Sequence, residues 1–143
     1  MAGKGEAGSK GGGDGDLYVY IQVKKHELFQ REEENLYYEL PISLADASLG
    51  TSIEVPNIDG SKSKVKIPAG TQSGKQLRLR DKGMPILRSG GYGDLYLQVK
   101  IETPVSLNKE QKELLEKFRK IENDRSNPSI KRFFQKAKNF WKN

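Results

Sequence analysis

The chain has 143 residues, a formal net charge of +6, 34% hydrophobic and 31% charged residues, and no cysteine. That length accommodates one domain with a real core, or one domain plus an appendage. The missing thiols exclude disulfides, thiolate chemistry and Cys-based zinc sites and fit a reducing compartment, and no apolar run approaches the ~18 residues of a membrane span.

Residues 1–14 are rich in Gly, Ser and Lys and read as flexible loop, with no apolar stretch that would make a secretory signal. From Asp16, the alternation Leu17, Val19, Ile21, Val23 has the period of two of a half-buried strand, and Leu36, Tyr38, Leu40 and Ile42 repeat it. Ser43 and Asp46 offer a capping box for a two-turn helix that Gly50 can close, short enough to need tertiary support. Ile53 and Val55 lead into Pro56-Asn57-Ile58-Asp59-Gly60, where Asp-Gly signals a hairpin. The return strand, residues 62–67, puts Ser63, Val65 and Ile67 on one face and Lys62, Lys64 and Lys66 on the other. Leu77 and Leu79 begin another strand, and residues 94–101 form the last. Short strands separated by turn signals, with few helices, predict an antiparallel sandwich or barrel.

After Pro104 the period becomes helical. Asn108 caps a helix with Gln111 three residues on, and Leu114, Leu115, Phe118 and Ile121 line one face. Asn127-Pro128 breaks the chain, and Ser129 is the expected cap of a last helix. There Ile130, Phe133, Phe134, Ala137, Phe140 and Trp141 form a continuous stripe. Residues 129–143 also hold Lys131, Arg132, Lys136, Lys138 and Lys142 and no acid, so nearly all the net charge is a basic tail on an almost neutral protein.

A self-comparison adds a repeat. Gly15-Asp16-Leu17-Tyr18 recurs as Gly93-Asp94-Leu95-Tyr96, an offset of 78, at which Lys4-Gly5 matches Lys82-Gly83 and Gly12-Gly13 matches Gly90-Gly91. Val19, Ile21 and Val23 match Leu97, Val99 and Ile101. The second copy is preceded by about sixty strand-like residues and the first by almost none. Two related β domains in tandem are therefore expected, with residues 1–23 the last loop and strand of the first, 24–104 the second, and 105–143 a helical segment.

Catalytic patterns fail on context. Gly3-Lys4-Gly5-Glu6-Ala7-Gly8 spells G-x-G-x-x-G but follows no strand and opens no helix. Gly70-Thr71-Gln72-Ser73-Gly74-Lys75 is one residue short of a P-loop and lacks its Ser/Thr at Gln76. His26 is the only histidine, and one imidazole without cysteine cannot assemble a usual zinc site. Glu32-Glu33-Glu34 reads as a solvated loop, since paired catalytic carboxylates need shielding and unlike environments. No enzyme activity and no metal are expected.

Taken in order, several runs resemble the C-terminal half of DnaJ-type (J-domain) co-chaperones. They are Gly15-Asp16-Leu17-Tyr18-Val19, His26-x-x-Phe29-x-Arg31, Leu40-Pro41-Ile42-Ser43-Leu44 and Ala47-Ser48-Leu49-Gly50, then Glu54-Val55-Pro56, Ile67-Pro68-Ala69-Gly70-Thr71-Gln72-Ser73-Gly74 and Lys82-Gly83-Met84-Pro85. The resemblance covers residues 3 to about 122. It implies a mainly β, antiparallel β-sandwich-like C-terminal domain followed by C-terminal α-helices. It also implies a cytoplasmic heat-shock and stress-response chaperone function: binding unfolded client polypeptides and forming a homodimer through the C-terminus, with DnaK as partner of the full-length protein. Whole members carry a J domain and many a zinc module; neither motif is present, so no cofactor is expected here. By internal homology with the family's peptide groove, the client site falls beside residues 52–55 and the short helix, on Leu44, Ile53 and Val55; the other reading of Ile53 and Val55 is ordinary sandwich core. The dimer interface falls on Ile130, Phe133, Phe134, Phe140 and Trp141. Neither nucleic acid nor membrane is expected as a partner; the alternative from the residues themselves is that the basic amphipathic last helix binds an anionic membrane or nucleic acid.

Overall fold

A computed structural model of the chain describes residues 28–142; the expected remnant strand and loop at residues 1–23, His26 and the first copy of the repeat lie outside the described residues. The chain divides into two compact units, with the boundary between Thr103 and Pro104.

The first unit holds six strands and one short helix: β1 (Gln30–Glu32), β2 (Asn35–Ser43), α1 (Leu44–Leu49), β3 (Thr51–Pro56), β4 (Lys62–Ile67), β5 (Gln76–Leu79) and β6 (Leu95–Glu102). They form a four-stranded sheet in the order β1-β2-β6-β5 and a two-stranded sheet of β3 and β4. The period-two alternation in β2 and β6 works as expected. Leu36, Tyr38, Leu40 and Ile42 and their β6 counterparts Leu95, Leu97 and Val99 are buried, and they form one core with Val55, Val65 and Ile67 from the hairpin, Ala47 from α1, Met84 and Phe29. Each fully buried aliphatic side chain contributes roughly 1.5–3 kcal/mol. The architecture is thus a sheet facing a hairpin, with helices after it.

Pairing is antiparallel for β1–β2, β3–β4 and β5–β6, but the central pair, β2 and β6, runs parallel, from Leu36 opposite Leu95 to Ser43 opposite Glu102. A parallel neighbour requires a long crossover. Here α1, the β3–β4 hairpin and β5 supply it, so α1 and the hairpin, which share the core with the large sheet, also lie on the path that returns β6 beside β2.

Local chemistry explains the joints. The Ser43 hydroxyl accepts a hydrogen bond from the Asp46 N–H at 3.0 Å and starts α1. At its end, the Gly70 and Thr71 N–H groups both donate to the Ala47 carbonyl (2.8 and 3.1 Å), so the P-loop lookalike begins as a cap for α1. Gly50 sits at φ +85°, and a Cβ there would stand 2.9 Å from the Ala69 nitrogen. The Tyr38 hydroxyl donates to the Pro56 carbonyl at 2.9 Å, tying the large sheet to the hairpin.

The repeated Gly-Asp-Leu-Tyr motif acquires a physical reason. A Cβ on Gly93 would lie 2.1 Å from the Glu34 carbonyl oxygen, so only glycine lets the loop reach the β1–β2 turn. Asp94 receives the Arg78 guanidinium at 2.7 Å and the Asp81 N–H at 3.0 Å, contacts that hold its carboxyl below the ordinary range. Leu95 is core, and Tyr96 stacks on Tyr37 on the opposite face, with ring centroids 5.1 Å apart.

The second unit holds α2 (Lys109–Ile121) and α3 (Pro128–Lys142). The α2 capping box forms as expected: Asn108 accepts from the Gln111 N–H at 2.8 Å and its own N–H donates to the Gln111 side chain at 2.9 Å. The expectation for α3 needs correction. Ser129 is not the cap, because Pro128 already belongs to the helix. Proline suits a first helical turn, whose N–H groups lack intrahelical partners and where its fixed φ is helical. The Ser129 hydroxyl instead receives the Arg132 guanidinium at 3.1 Å.

Candidate functional site

Two surfaces are candidates, one in each unit. In the β unit, β3 pairs with β4 on one side, and among the described strands nothing pairs with its other side. Such an edge offers main-chain donors and acceptors to an added strand. Leu44, the first residue of α1, is 41% exposed, whereas Ile53 is half-buried against the core. Val55 is 1% exposed. The expectation of Val55 as a client-contacting side chain is therefore corrected: it is core, and only its backbone lies along the strand. Alternation places Ile53 and Val55 on one face of β3, and that is the face the sheet covers.

A residue absent from the expected set is Leu49, 80% exposed at the last turn of α1. The signal was in the helical period. Ala47 is the buried residue of α1, and Leu49 lies two positions on, about 200° around the helix, so it must face outward. Leu44 and Leu49 are thus the exposed large apolar side chains at the two ends of α1, the helix that leads into β3.

In the helical unit no side chain of α2 or α3 is buried. Ile130, Phe133, Phe134, Phe140 and Trp141 are all exposed by more than half, and Phe133 and Phe134 meet edge to face at 5.0 Å. Leu114, Phe118 and Ile121 on α2 are equally bare. Their spacing put them on one face, but spacing alone does not say whether a face is covered. Exposed apolar side chains gathered in this way make the unit a candidate interaction surface.

The described residues of the β unit also form concavities. One, of about 370 Å³, is lined by Tyr37, Tyr96, Gln30, Gln76, Gln98 and Glu39 on the large sheet. The other, of about 270 Å³, lies between the hairpin turn at Ile58 and Asp59 and the loop at Lys82, Pro85 and Tyr92. Among the described residues, no group of three or more His, Asp and Glu side chains is placed to hold a metal, and no helix is long and apolar enough to cross a membrane.

A small β domain with an open strand edge, followed by amphipathic helices whose apolar sides face outward, has the form of a recognition module. Comparison with known proteins makes this specific. The family model "DnaJ C terminal domain" matches residues 1–104, and "Chaperone protein DnaJ C-terminal region" matches residues 110–143. The chain belongs to the DnaJ C-terminal domain family. Among curated relatives, the chaperone protein DnaJ of Pelagibacter ubique is 68% identical over 143 residues, which is 100% of this chain and 38% of that protein. Those of Ruegeria pomeroyi and Cereibacter sphaeroides are 53% and 55% identical over 141 residues, 99% of this chain and 37% of each. The chain therefore spans little more than a third of the relatives it matches, and corresponds to their C-terminal part.

Proposed function

We propose that this chain is a non-enzymatic chaperone module of the cytoplasm that needs no cofactor, holds unfolded polypeptides along the free edge of β3, and dimerises through α3. The observation that carries the reading is the single-sided pairing of β3, which follows in the chain on the helix that bears the exposed Leu44 and Leu49. An extended client adds main-chain hydrogen bonds to the edge and rests apolar side chains on α1, a mode that gives little sequence selectivity. Dimerisation buries the aromatic stripe of α3 and holds two weak sites together, raising avidity without new contacts. Joined to a J domain, the module would pass its client to DnaK.

The test is an NMR titration of the chain with a labelled apolar peptide. Shifts are expected to cluster on residues 44–55, with Leu49→Ser weakening binding several-fold. Shifts confined to residues 128–142 would refute the β3 site.

A further inference from the structure

We infer that the α3 face has a second occupant, exclusive of a second copy of the chain: the surface of an anionic lipid bilayer. At 100° per residue, Ile130, Phe133, Phe134, Ala137, Phe140 and Trp141 fall within an arc of about 120°. The five large side chains of that arc are exposed. Lys131 and Lys138 flank the arc on one side and Lys136 on the other, Arg132 and Lys142 lie farther round the helix, and the helix contains no acid. Cations on both borders of an aromatic arc are the pattern of a helix lying flat at a membrane interface, where lysine stems reach out to headgroups while rings sit at the acyl boundary.

Charge complementarity selects this occupant. A second α3 brings the same five bases and no acid, so self-pairing gathers like charge, whereas an anionic bilayer neutralises those that border the arc, Lys131, Lys136 and Lys138. A nucleic acid would satisfy the bases but leave the aromatic arc in water. The helix is ~22 Å long, too short and too charged to span, and suited to lying in the plane. Since the same aromatics cannot face a bilayer and a partner α3 at once, membrane docking and dimerisation compete.

The experiment uses the 143-residue chain with vesicles of mixed phosphatidylglycerol and phosphatidylcholine, and with pure phosphatidylcholine. Co-sedimentation is expected with the anionic vesicles only, weakening steeply with salt. Trp141, the only tryptophan, should shift its emission to the blue. Cross-linked dimer should fall as vesicle binding saturates. The triple variant Lys131→Gln, Lys136→Gln, Lys138→Gln should lose roughly a hundredfold in vesicle affinity, about fivefold per lysine, while its dimer mass in solution is unchanged.

Equal binding to both vesicle types, binding that survives the triple variant, or dimer cross-linking unaffected by bound vesicles overturns the inference. So does the absence of vesicle binding together with duplex DNA binding that persists in Phe133→Asp with Trp141→Asp. A chain that is dimeric in solution yet ignores vesicles leaves the dimer reading standing. One that binds anionic vesicles yet is monomeric at every concentration does the reverse.

Discussion

The two units make their secondary structure in opposite ways. In the β unit, strands exist because they share a core: Leu36, Leu95 and Leu97 are wholly buried, and the longest strand pair is joined by residues far apart in sequence. In the helical unit, α2 and α3 are specified locally, by the Asn108–Gln111 capping box, Pro128 and helical periodicity, and bury nothing. Local signals can start a helix of this length but supply little stability in water, which for most helices comes from packing. The β unit therefore carries a core of its own, whereas the two helices hold no buried side chain.

The largest effect that would break this contrast is at the helical face. Burying a Phe or Trp contributes roughly 1.5–3 kcal/mol, and a dimer buries each twice. Phe133→Asp with Trp141→Asp should give a chain that sediments as a folded monomer, with β-unit unfolding unchanged. A dimer persisting in analytical ultracentrifugation would show that the interface lies elsewhere.

Next is a matched pair of truncations. Leu97→Ala removes a fully buried side chain from the central strand and should lower the unfolding free energy of the β unit by about 2–5 kcal/mol in urea titrations. Leu114→Ala on α2, 59% exposed, should change that same transition by under about 0.5 kcal/mol. Similar costs would mean that the units fold as one.

The smallest concerns the tie between sheet and hairpin. Burial pushes the Tyr38 phenol up to about 12 from its ordinary value of 10.0. A raised pKa means that folding favours the neutral form, so this contribution is fully present below pH 10 and lost as pH climbs towards 12. Tyr38→Phe should cost about 0.5–1.5 kcal/mol near neutral pH through the lost bond to Pro56. It should also flatten the decline in stability between pH 10 and 12, read from denaturant midpoints at each pH.

How much was legible depends on how far each signal reaches along the chain. Alternation identified Leu36, Tyr38, Leu40 and Ile42 as one buried face, and Ser43, Gly50 and Asn108 as helix ends, because each pattern is set within a few residues. The Gly93–Tyr96 repeat was visible as a repeat, yet its reason was not. The atom that forbids a side chain at Gly93 is a carbonyl of Glu34, about sixty residues away. Ser129 was misplaced as a cap because both it and Pro128 suit a helix start, and only the backbone decides between them.

The sequence by itself determined the type of every element but the short β1, the inward and outward faces of the main strands, the family, and the amphipathic character of α3. These rest on local sterics, period and charge, which the chain carries wherever it folds. Tertiary structure decided that β6 lies parallel beside β2, that Val55 is core and not groove, and that Leu49 is bare at the end of α1. Period assigns a side chain to a face, but only the elements packed across from it decide whether that face meets a core, water or another molecule.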